Sequence, residues 1–305
     1  MNAHAQKLLI IVGPTASGKS DLAVELALRH NGEVISADSR QVYRGMDIGT
    51  GKITHEEMRG VPHHCLDIAD PSERFTVADW KTAAEAAIAD IVSRGKLPIV
   101  CGGTGFYIDT LVNGSDLPDI DTDPEEQAQL EAMPIGRLQA ELERLDPRRA
   151  ADMRTNGSFA NPRRVARAIL IARKLGAVPS LSAVYTKAET RLPISDTLWI
   201  GILPPDALIR ERISKRLLKR LDSGMIGEAQ RLHASGVSYE RMEELGLEYR
   251  YLARFLQGQI DREQLIAELS TKIWQYARRQ KTWWKRNKSI RWFPSLQAAV
   301  DTFSL

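Results

Sequence analysis

The amino-acid sequence predicts an α/β fold in which helices flank a parallel β-sheet. An apolar run opens residues 7–20 and another occupies 97–101, and each breaks into a glycine-rich turn followed by a helical pattern. A further apolar run at 197–203 follows a long stretch with only helical patterns. Strands alternating with loops and helices in this way are typical of a doubly wound sheet.

The first turn contains a phosphate-binding pattern, since Gly13, Gly18, Lys19 and Ser20 fit G-x-x-x-x-G-K-[ST]. In this pattern loop amides surround a diphosphate, the lysine meets its charge and the hydroxyl reaches Mg²⁺. The positive end of the following helix dipole adds to the attraction. The same residues could instead form a plain strand-to-helix turn without a ligand. The pattern lies directly before the amphipathic run 21–30, however, and this favours a phosphate-loop NTPase-like sheet.

Composition narrows the class of protein. The chain has 305 residues, 43% of them hydrophobic, and a net charge of only +3, so its length allows about two domains. Cys65 and Cys101 lie far apart, which argues against a disulfide framework and a C-x-x-C zinc site. No apolar run approaches the roughly 20 residues of a membrane span, and residues 1–6 are too short for a signal peptide. We therefore expect a soluble cytoplasmic protein with no membrane partner.

A carboxylate ends the second predicted strand, at residues 33–38. Ligands of open parallel sheets lie at the carboxyl ends of the strands, so we expect Asp38 to face the ligand of the phosphate loop. The polar residues 39–41 follow it directly. A helix-capping or loop carboxylate is an equally open interpretation of Asp38.

The next segments predict a long loop, a strand and a helix. Residues 42–60 are rich in glycine, threonine and charge without a sustained period, which predicts an irregular or mobile loop. Residues 63–68 can form a third strand and 75–94 a helix. A metal site at His63 and His64 is disfavoured because adjacent strand residues point to opposite faces.

The second glycine-rich turn, residues 102–105, offers another place where a ligand can approach the backbone. Thr104 supplies a hydroxyl there. Tight packing of strand against helix is the alternative reason for these glycines.

Residues 119–196 are predicted to form an inserted all-helical subdomain, because an acidic, proline-bearing stretch is followed by helical patterns without a strand. The core would then comprise 1–118 together with 197–305. Within the insertion, Arg163, Arg164 and Arg167 occupy the first turns of a helix over 161–175. Arginines near a helix start oppose the dipole, which favours an external anion, although a solvated face remains open.

The chain from 206 onward predicts a helical C-terminal part with strong basic clusters. A helix over 206–221 presents Arg212, Arg216 and Lys219 on one face. A later helix, capped by Asp261, ends in a run with six positive charges in eleven positions. These charges are Arg278, Arg279, Lys281, Lys285, Arg286 and Lys288. They suit phosphate contacts, while we expect at least one of the neighbouring Trp283 and Trp284 to pack in the core.

Seven segments in this order closely resemble the tRNA dimethylallyltransferases, also called tRNA isopentenyltransferases. The segments are GPTASGKS, ISADSRQVYRGMDIGTGK, VPHHCLDIADP, GGTGFY, NPRRVARA, GLEYRYL and YARRQKTWWKR, and the resemblance covers residues 8–293. It implies transfer of the dimethylallyl group from dimethylallyl diphosphate to N6 of the adenosine 3′ of the anticodon. It also implies Mg²⁺ as cofactor and the anticodon stem-loop of tRNA as partner. We expect a monomer.

The resemblance assigns roles to individual residues. It implies that Asp38 is the general base, that Lys19 and Thr104 share in catalysis, and that Ser20 holds Mg²⁺. The implied diphosphate contacts are Gly13, Thr15, Ala16, Ser17, Gly18, Lys19, Ser20 and Arg212. The implied tRNA contacts, of which the last three belong to the basic run, are Asp38, Ser39, Arg40, Gln41, Thr104, Arg163, Arg164, Arg167, Arg278, Arg279 and Lys281.

The sequence departs from the commonest family pattern at several positions, all outside the implied chemistry. GTGK replaces GTAK, Leu170 replaces a glutamate, Gln127 lies near a usual arginine, and Trp274 with Gln275 replaces an arginine pair. Three other functions remain as alternatives: prenyl transfer to free AMP or ADP, RNA binding with nucleotide sensing, and small-molecule phosphorylation.

Overall fold

The computed structural model describes residues 7–113, 123–179 and 196–303. The chain divides into two compact units, Met1–Leu111 with Arg191–Leu305 and Val112–Thr190. The second unit overlaps most of the insertion predicted at 119–196.

A parallel sheet forms the centre of the first unit. Its strands are β1 Lys7–Val12, β2 Gly32–Ser36, β3 His63–His64, β4 Leu97–Gly102, β5 Asp196–Ile202 and β6 Arg291–Phe293. They run in the order β3-β2-β4-β1-β5-β6, and every described pairing is parallel. The predicted α/β fold is confirmed. Residues 8–12 of β1 are at most 1% exposed, as expected for a central strand covered on both faces.

Helices make up most of the remaining described chain. Those before the insertion are α1 Lys19–Arg29, α2 His55–Met58, α3 Val77–Ser93 and α4 Gly105–Val112. Those of the second unit are α5 Pro124–Glu131, α6 Ile135–Leu145, α7 Pro147–Thr155 and α8 Pro162–Leu175. The rest are α9 Asp206–Asp222, α10 Met225–Ala234, α11 Tyr239–Leu245, α12 Leu247–Leu256, α13 Arg262–Trp284 and α14 Leu296–Thr302. None of these helices is both long and apolar enough to cross a membrane.

The two units have separate apolar cores. In the first, α1 and α14 cover one face of the sheet, where Leu22 and Val300 join the side chains of β1, β4 and β5. In the second, α6 packs on α8 through a buried cluster that includes Leu138. On α8, the apolar residues Val165, Ala168, Ile169 and Ala172 recur at helical spacing and are all buried.

The third strand is shorter than the predicted 63–68, because β3 contains only His63 and His64. Cys65 and Asp67 adopt left-handed backbone angles, φ +61° and +56°. A residue with positive φ cannot continue an extended strand. The chain therefore leaves the sheet directly after His64.

The loop over residues 42–60 is irregular apart from α2, and a buried carboxylate anchors part of it. Glu228 accepts hydrogen bonds from the amides of Asp47, Ile48 and Gly49 at 2.9, 2.7 and 2.9 Å, and from the Tyr249 hydroxyl at 2.6 Å. Four donors satisfy a carboxylate that is only 4% exposed. The sequence pattern did not predict that the backbone of this loop is anchored by a buried carboxylate.

Candidate active site

The turn between β1 and α1 has the backbone of an anion-binding loop. Ala16 and Gly18 have φ of +62° and +97°, and alternation of left-handed and right-handed residues turns successive N–H groups to one side. Gly13 has no room for a side chain, since a Cβ there would lie 2.7 Å from the carbonyl oxygen of Ile202. Helix α1 then begins at Lys19 and adds its dipole.

A cavity at the carboxyl ends of β1 and β2 brings four of the predicted residues together. Lys19, Ser20, Asp38 and Gln41 all line it. Desolvation lowers the pKa of Lys19, and the nearby negative charge of Asp38 counteracts this shift. A partly buried cation facing open space suits an anionic ligand.

Asp38 forms a local turn and also faces the cavity, so both sequence interpretations describe it. Its Oδ1 accepts the backbone N–H groups of Arg40 at 2.9 Å and Gln41 at 3.4 Å. No hydrogen bond within the described chain uses Oδ2. The turn holds the carboxylate in one orientation and leaves one oxygen for a substrate.

The second glycine-rich turn approaches Asp38 from β4. The hydroxyl oxygen of Thr104 accepts the backbone N–H of Ser39 at 3.1 Å, and Thr104 N–H donates to the carbonyl of Ala37 at 3.1 Å. A Cβ on Gly102 would lie 2.1 Å from that carbonyl oxygen, so close packing explains this glycine. The phenol of Tyr276 lies close to Thr104, and burial raises the pKa of this phenol to about 12.

Helix α9 covers the phosphate loop from outside. Nη1 of Arg212 lies 3.3 Å from the carbonyl oxygen of Ser17 and 3.5 Å from that of Ala16. The guanidinium thus holds the carbonyl side of a loop whose amides point the other way. Arg216, one turn further along α9, is close enough to lower the pKa of Lys19 by repulsion.

A buried glutamine that the sequence interpretation missed joins the two turns. Gln280 is 5% exposed; its Oε1 accepts the N–H of Thr15 at 2.8 Å and its Nε2 donates to the carbonyl of Gly103 at 2.9 Å. Its position in the stripe Ile273, Ala277, Gln280 and Trp284 was a usable signal, because a polar residue on a buried helix face needs partners.

The two tryptophans of the basic run have different environments. Trp284 is 1% exposed, which confirms the prediction that at least one packs in the core. Trp283 donates its indole N–H to Asp109 at 3.0 Å, and the guanidinium of Arg286 lies 4.0 Å from its ring centre. An open cleft beside them is lined by Gln275, Arg278, Arg279, Thr282, Trp283 and Arg286.

The cations predicted to contact tRNA differ in their partners. Lys281 pairs with Asp206 at 2.9 Å, whereas no carboxylate of the described chain pairs with Arg278 or Arg279. In the second unit, Arg163 pairs with Glu131 at 3.2 Å, which supplies an internal anion where the sequence pattern favoured an external one. Asn161 caps this helix by accepting the N–H of Arg164 at 3.2 Å, and Arg167 lies one turn further on.

His63 and His64 pair with Val34 and Ile35 of β2 and make structural hydrogen bonds, and His63 also lines the cavity. His63 Nδ1 lies 2.8 Å from the carbonyl oxygen of Val61, and His64 Nε2 lies 2.8 Å from the carboxylate of Glu33. Arg94 and Lys96 bind the same carboxylate. No group of three possible metal-binding His, Cys, Asp or Glu side chains occurs in the described ranges.

Comparisons with known proteins identify the family of this chain. The family model described as IPP transferase matches residues 41–287. A "tRNA dimethylallyltransferase 2" of Citrifermentans bemidjiense is 41% identical over 92% of this chain and 86% of its own length. A "tRNA dimethylallyltransferase" of Halalkalibacterium halodurans is 40% identical over 97% and 93%.

Solved structures give the same result. A tRNA isopentenylpyrophosphate transferase from Bacillus halodurans has a TM-score of 0.68 and 38% identity, over 94% of this chain and 89% of its own. A eukaryotic dimethylallyltransferase acting on tRNA has a TM-score of 0.80 and 28% identity, over 98% and 76%. With a family model across most of its length and relatives near 40% identity, this chain belongs to the IPP transferase family, which includes the tRNA dimethylallyltransferases.

Proposed function

We propose that this protein transfers the dimethylallyl group of dimethylallyl diphosphate to N6 of the adenosine 3′ of the anticodon in tRNA. The observation that carries the proposal is the shared cavity of Lys19, Ser20 and Asp38, where a diphosphate loop faces a fixed carboxylate. Membership of the family supplies the substrate class.

The chemistry requires a nucleophile, an electrophile and a place for the leaving charge. N6 attacks C1 of the dimethylallyl group, the C1–O bond breaks, and diphosphate departs with the electron pair. An exocyclic amine is a weak nucleophile, so Asp38 accepts its proton as general base. Lys19 and the loop amides neutralise the charge that develops on the diphosphate, while Arg212 supports the loop from behind.

We assign a Mg²⁺ ion to the same cavity. The Ser20 hydroxyl, which lines the cavity, is a hard oxygen ligand of the kind that Mg²⁺ prefers. This ion commonly takes only one or two protein ligands and completes its shell with phosphate oxygens and water. When bound, it would neutralise diphosphate charge, with Ser20 as its protein contact.

The adenine must leave its stack to reach the cavity, which requires contacts that hold the anticodon stem-loop. We assign this role near the cavity to Thr104 and to Ser39, Arg40 and Gln41. More distant phosphate contacts are assigned to Arg163, Arg164, Arg167, Arg278, Arg279 and Lys281. The absence of a partner carboxylate in the described chain for Arg278 and Arg279 supports their part of this assignment. We further propose a monomer that acts in the cytoplasm, where both cysteines remain reduced.

The test is incubation with dimethylallyl diphosphate, MgCl₂ and unmodified tRNA, followed by digestion and mass spectrometry for N6-isopentenyladenosine. We expect the product with the wild-type protein and a loss of roughly 10²-fold or more in kcat for Asp38→Asn, because the base is removed. Omission of MgCl₂ in the presence of a chelator should also reduce the rate.

Asp70→Asn is the matched control, since Asp70 Oδ1 also accepts a nearby backbone N–H, that of Ser72 at 2.9 Å. Its activity should match the wild type. No product from folded wild-type protein, or equal losses in the two variants, would contradict the proposal. Competition of tRNA against AMP distinguishes the free-nucleotide alternative, which predicts modification of AMP.

A further inference from the structure

Gln280 connects two parts of the site that come from distant parts of the sequence. Its amide spans from the N–H of Thr15 in the phosphate loop to the carbonyl of Gly103 in the turn before Thr104. No other hydrogen bond joins residues 13–18 to residues 103–105 in the described chain. The paired strands β1 and β4 already set the bases of the two turns side by side, with Val12 opposite Gly102, and the Gln280 amide adds the hydrogen-bonded link above the sheet.

The Gln280 amide is buried and closely packed between the two turns. The side chain is 5% exposed, and one of its two ends meets each turn. A Cβ on Gly103 would lie 2.2 Å from Gln280 Nε2, and a Cβ on Gly105 would lie 2.2 Å from Trp283 Nε1. Helix α13 thus lies directly against the second turn, and the absence of side chains there permits this approach.

The two bonded turns hold opposite halves of the proposed reaction. The phosphate loop holds the leaving diphosphate. Thr104, next to Gly103, hydrogen-bonds the backbone of Ser39 beside the general base Asp38. The backbone N–H of Thr15, in the phosphate loop itself, donates its hydrogen bond to Gln280.

We propose that Gln280 is a positioning residue that fixes the distance between the diphosphate loop and the Thr104–Asp38 side of the active site. The inference rests on the proposed function and adds a residue that acts through others. Effects of this kind can be large, because a shift of about 1 Å between reacting groups can cost roughly 10²-fold in rate.

The test compares Gln280→Met with the wild type. Methionine has nearly the same shape but forms neither hydrogen bond, so the helix packing is retained while the two turns lose their link. Calorimetric titration with inorganic diphosphate and MgCl₂ counts the folded sites. Per folded site, we expect kcat to fall roughly 10- to 100-fold, with the KM for tRNA and the diphosphate Kd within about threefold.

Gln139→Met is the matched control, because Gln139 Nε2 donates to the carbonyl of Phe159 at 2.9 Å inside the second unit. It loses a similar bond and should keep its kcat. A double-mutant cycle with Thr104→Val then separates positioning from general weakening. We expect Gln280→Met to lower kcat clearly less in the Thr104→Val background than in the wild type, since both substitutions disturb the same arrangement of the two turns.

If the kcat of Gln280→Met lies within about twofold of wild type, the inference is overturned. It is also overturned if the effects of Gln280→Met and Thr104→Val on kcat simply multiply in the double variant. If Gln280→Met shows no diphosphate sites, Gln280→Asn replaces it, because one fewer methylene allows its amide to reach only one turn. The same criteria then apply. A wild-type protein that makes no product contradicts the proposed function itself, whereas an active wild type with an unaffected variant contradicts only the role of Gln280.

Discussion

A carboxylate lies near cations at each end of strand β2, but only the carboxylate at the start of the strand is fully paired with them. At the start of the strand, Glu33 binds Arg94, Lys96 and His64 and is 1% exposed. Two residues beyond its end, Asp38 bonds only its own turn and keeps one oxygen free within the described chain. The hydrogen bond from Arg94, above all, holds the pKa of Glu33 well below its usual range.

The difference separates a structural charge cluster from a site for a ligand. A buried carboxylate with three partners has little to gain from a further contact, so its contribution is to stability. A cation and a carboxylate that face a shared cavity retain unused bonding capacity, as Lys19 and Asp38 do. We therefore expect substitutions near Asp38 to lower the enzymatic rate and substitutions near Glu33 to lower the stability of the fold.

The largest contrast is expected between Lys19→Met and Lys96→Met. Lys19→Met should lower kcat/KM for dimethylallyl diphosphate by roughly 10²-fold or more, because it removes a preorganised charge from the leaving group. Lys96→Met should retain the activity and lower the midpoint of urea unfolding. Steady-state kinetics and urea titration of both variants measure this, and a reversed pattern would show that the two ends are wrongly assigned.

A middle-sized effect is expected from Glu33→Gln, which should lower the free energy of unfolding at pH 7 by about 2 kcal/mol through loss of charged hydrogen bonds. The folded-state pKa of Glu33 lies below the unfolded value, so its stabilisation is present above about pH 4.3 and is lost as the pH falls further. The gap between wild type and variant should therefore narrow in acid. Urea titrations at neutral and acidic pH measure it.

Glu25→Gln controls for surface pairing, because Glu25 also binds two arginines, Arg29 at 2.8 Å and Arg59 at 3.0 Å, but is more exposed. Its loss should be much smaller. Equal losses for Glu25→Gln and Glu33→Gln would remove the distinction between a buried cluster and a surface pair.

The smallest effect is expected for single cations of the basic run. Arg278 has no partner carboxylate in the described chain, whereas Lys281 must leave Asp206 before it can contact a phosphate. Arg278→Gln should raise the KM for tRNA by a few fold and reduce its salt dependence by about one counterion. Lys281→Gln should change both less, and titration of KM against salt compares them. Identical slopes would contradict the contrast.

The sequence predicted the site best where a local pattern determines the chemistry. The spacing of Gly13, Gly18 and Lys19 places the loop, and the end of a strand places Asp38 beside it. The helical pattern over 161–175 likewise predicted helix α8, Pro162–Leu175. In each case neighbouring residues determine the geometry through one strand end or one helix face.

The missed features depend on partners far away in sequence. Gln280 bonds backbone groups of Thr15 and Gly103, and any residue type can supply such groups. Glu228 anchors residues 47–49 in the same way from α10. Periodicity can reveal that a polar side chain is buried, but the partner follows only from the tertiary structure.

The bond between Thr15 and Gln280 also has a consequence for biosynthesis. The phosphate loop leaves the ribosome before its amide partner, which follows 265 residues later. At translation rates of roughly 5 to 20 residues per second, that interval lasts at least about ten seconds. A nascent chain therefore holds an unfinished loop until residue 280 has emerged and α13 has docked, which delays assembly of the complete site until the fold around it exists.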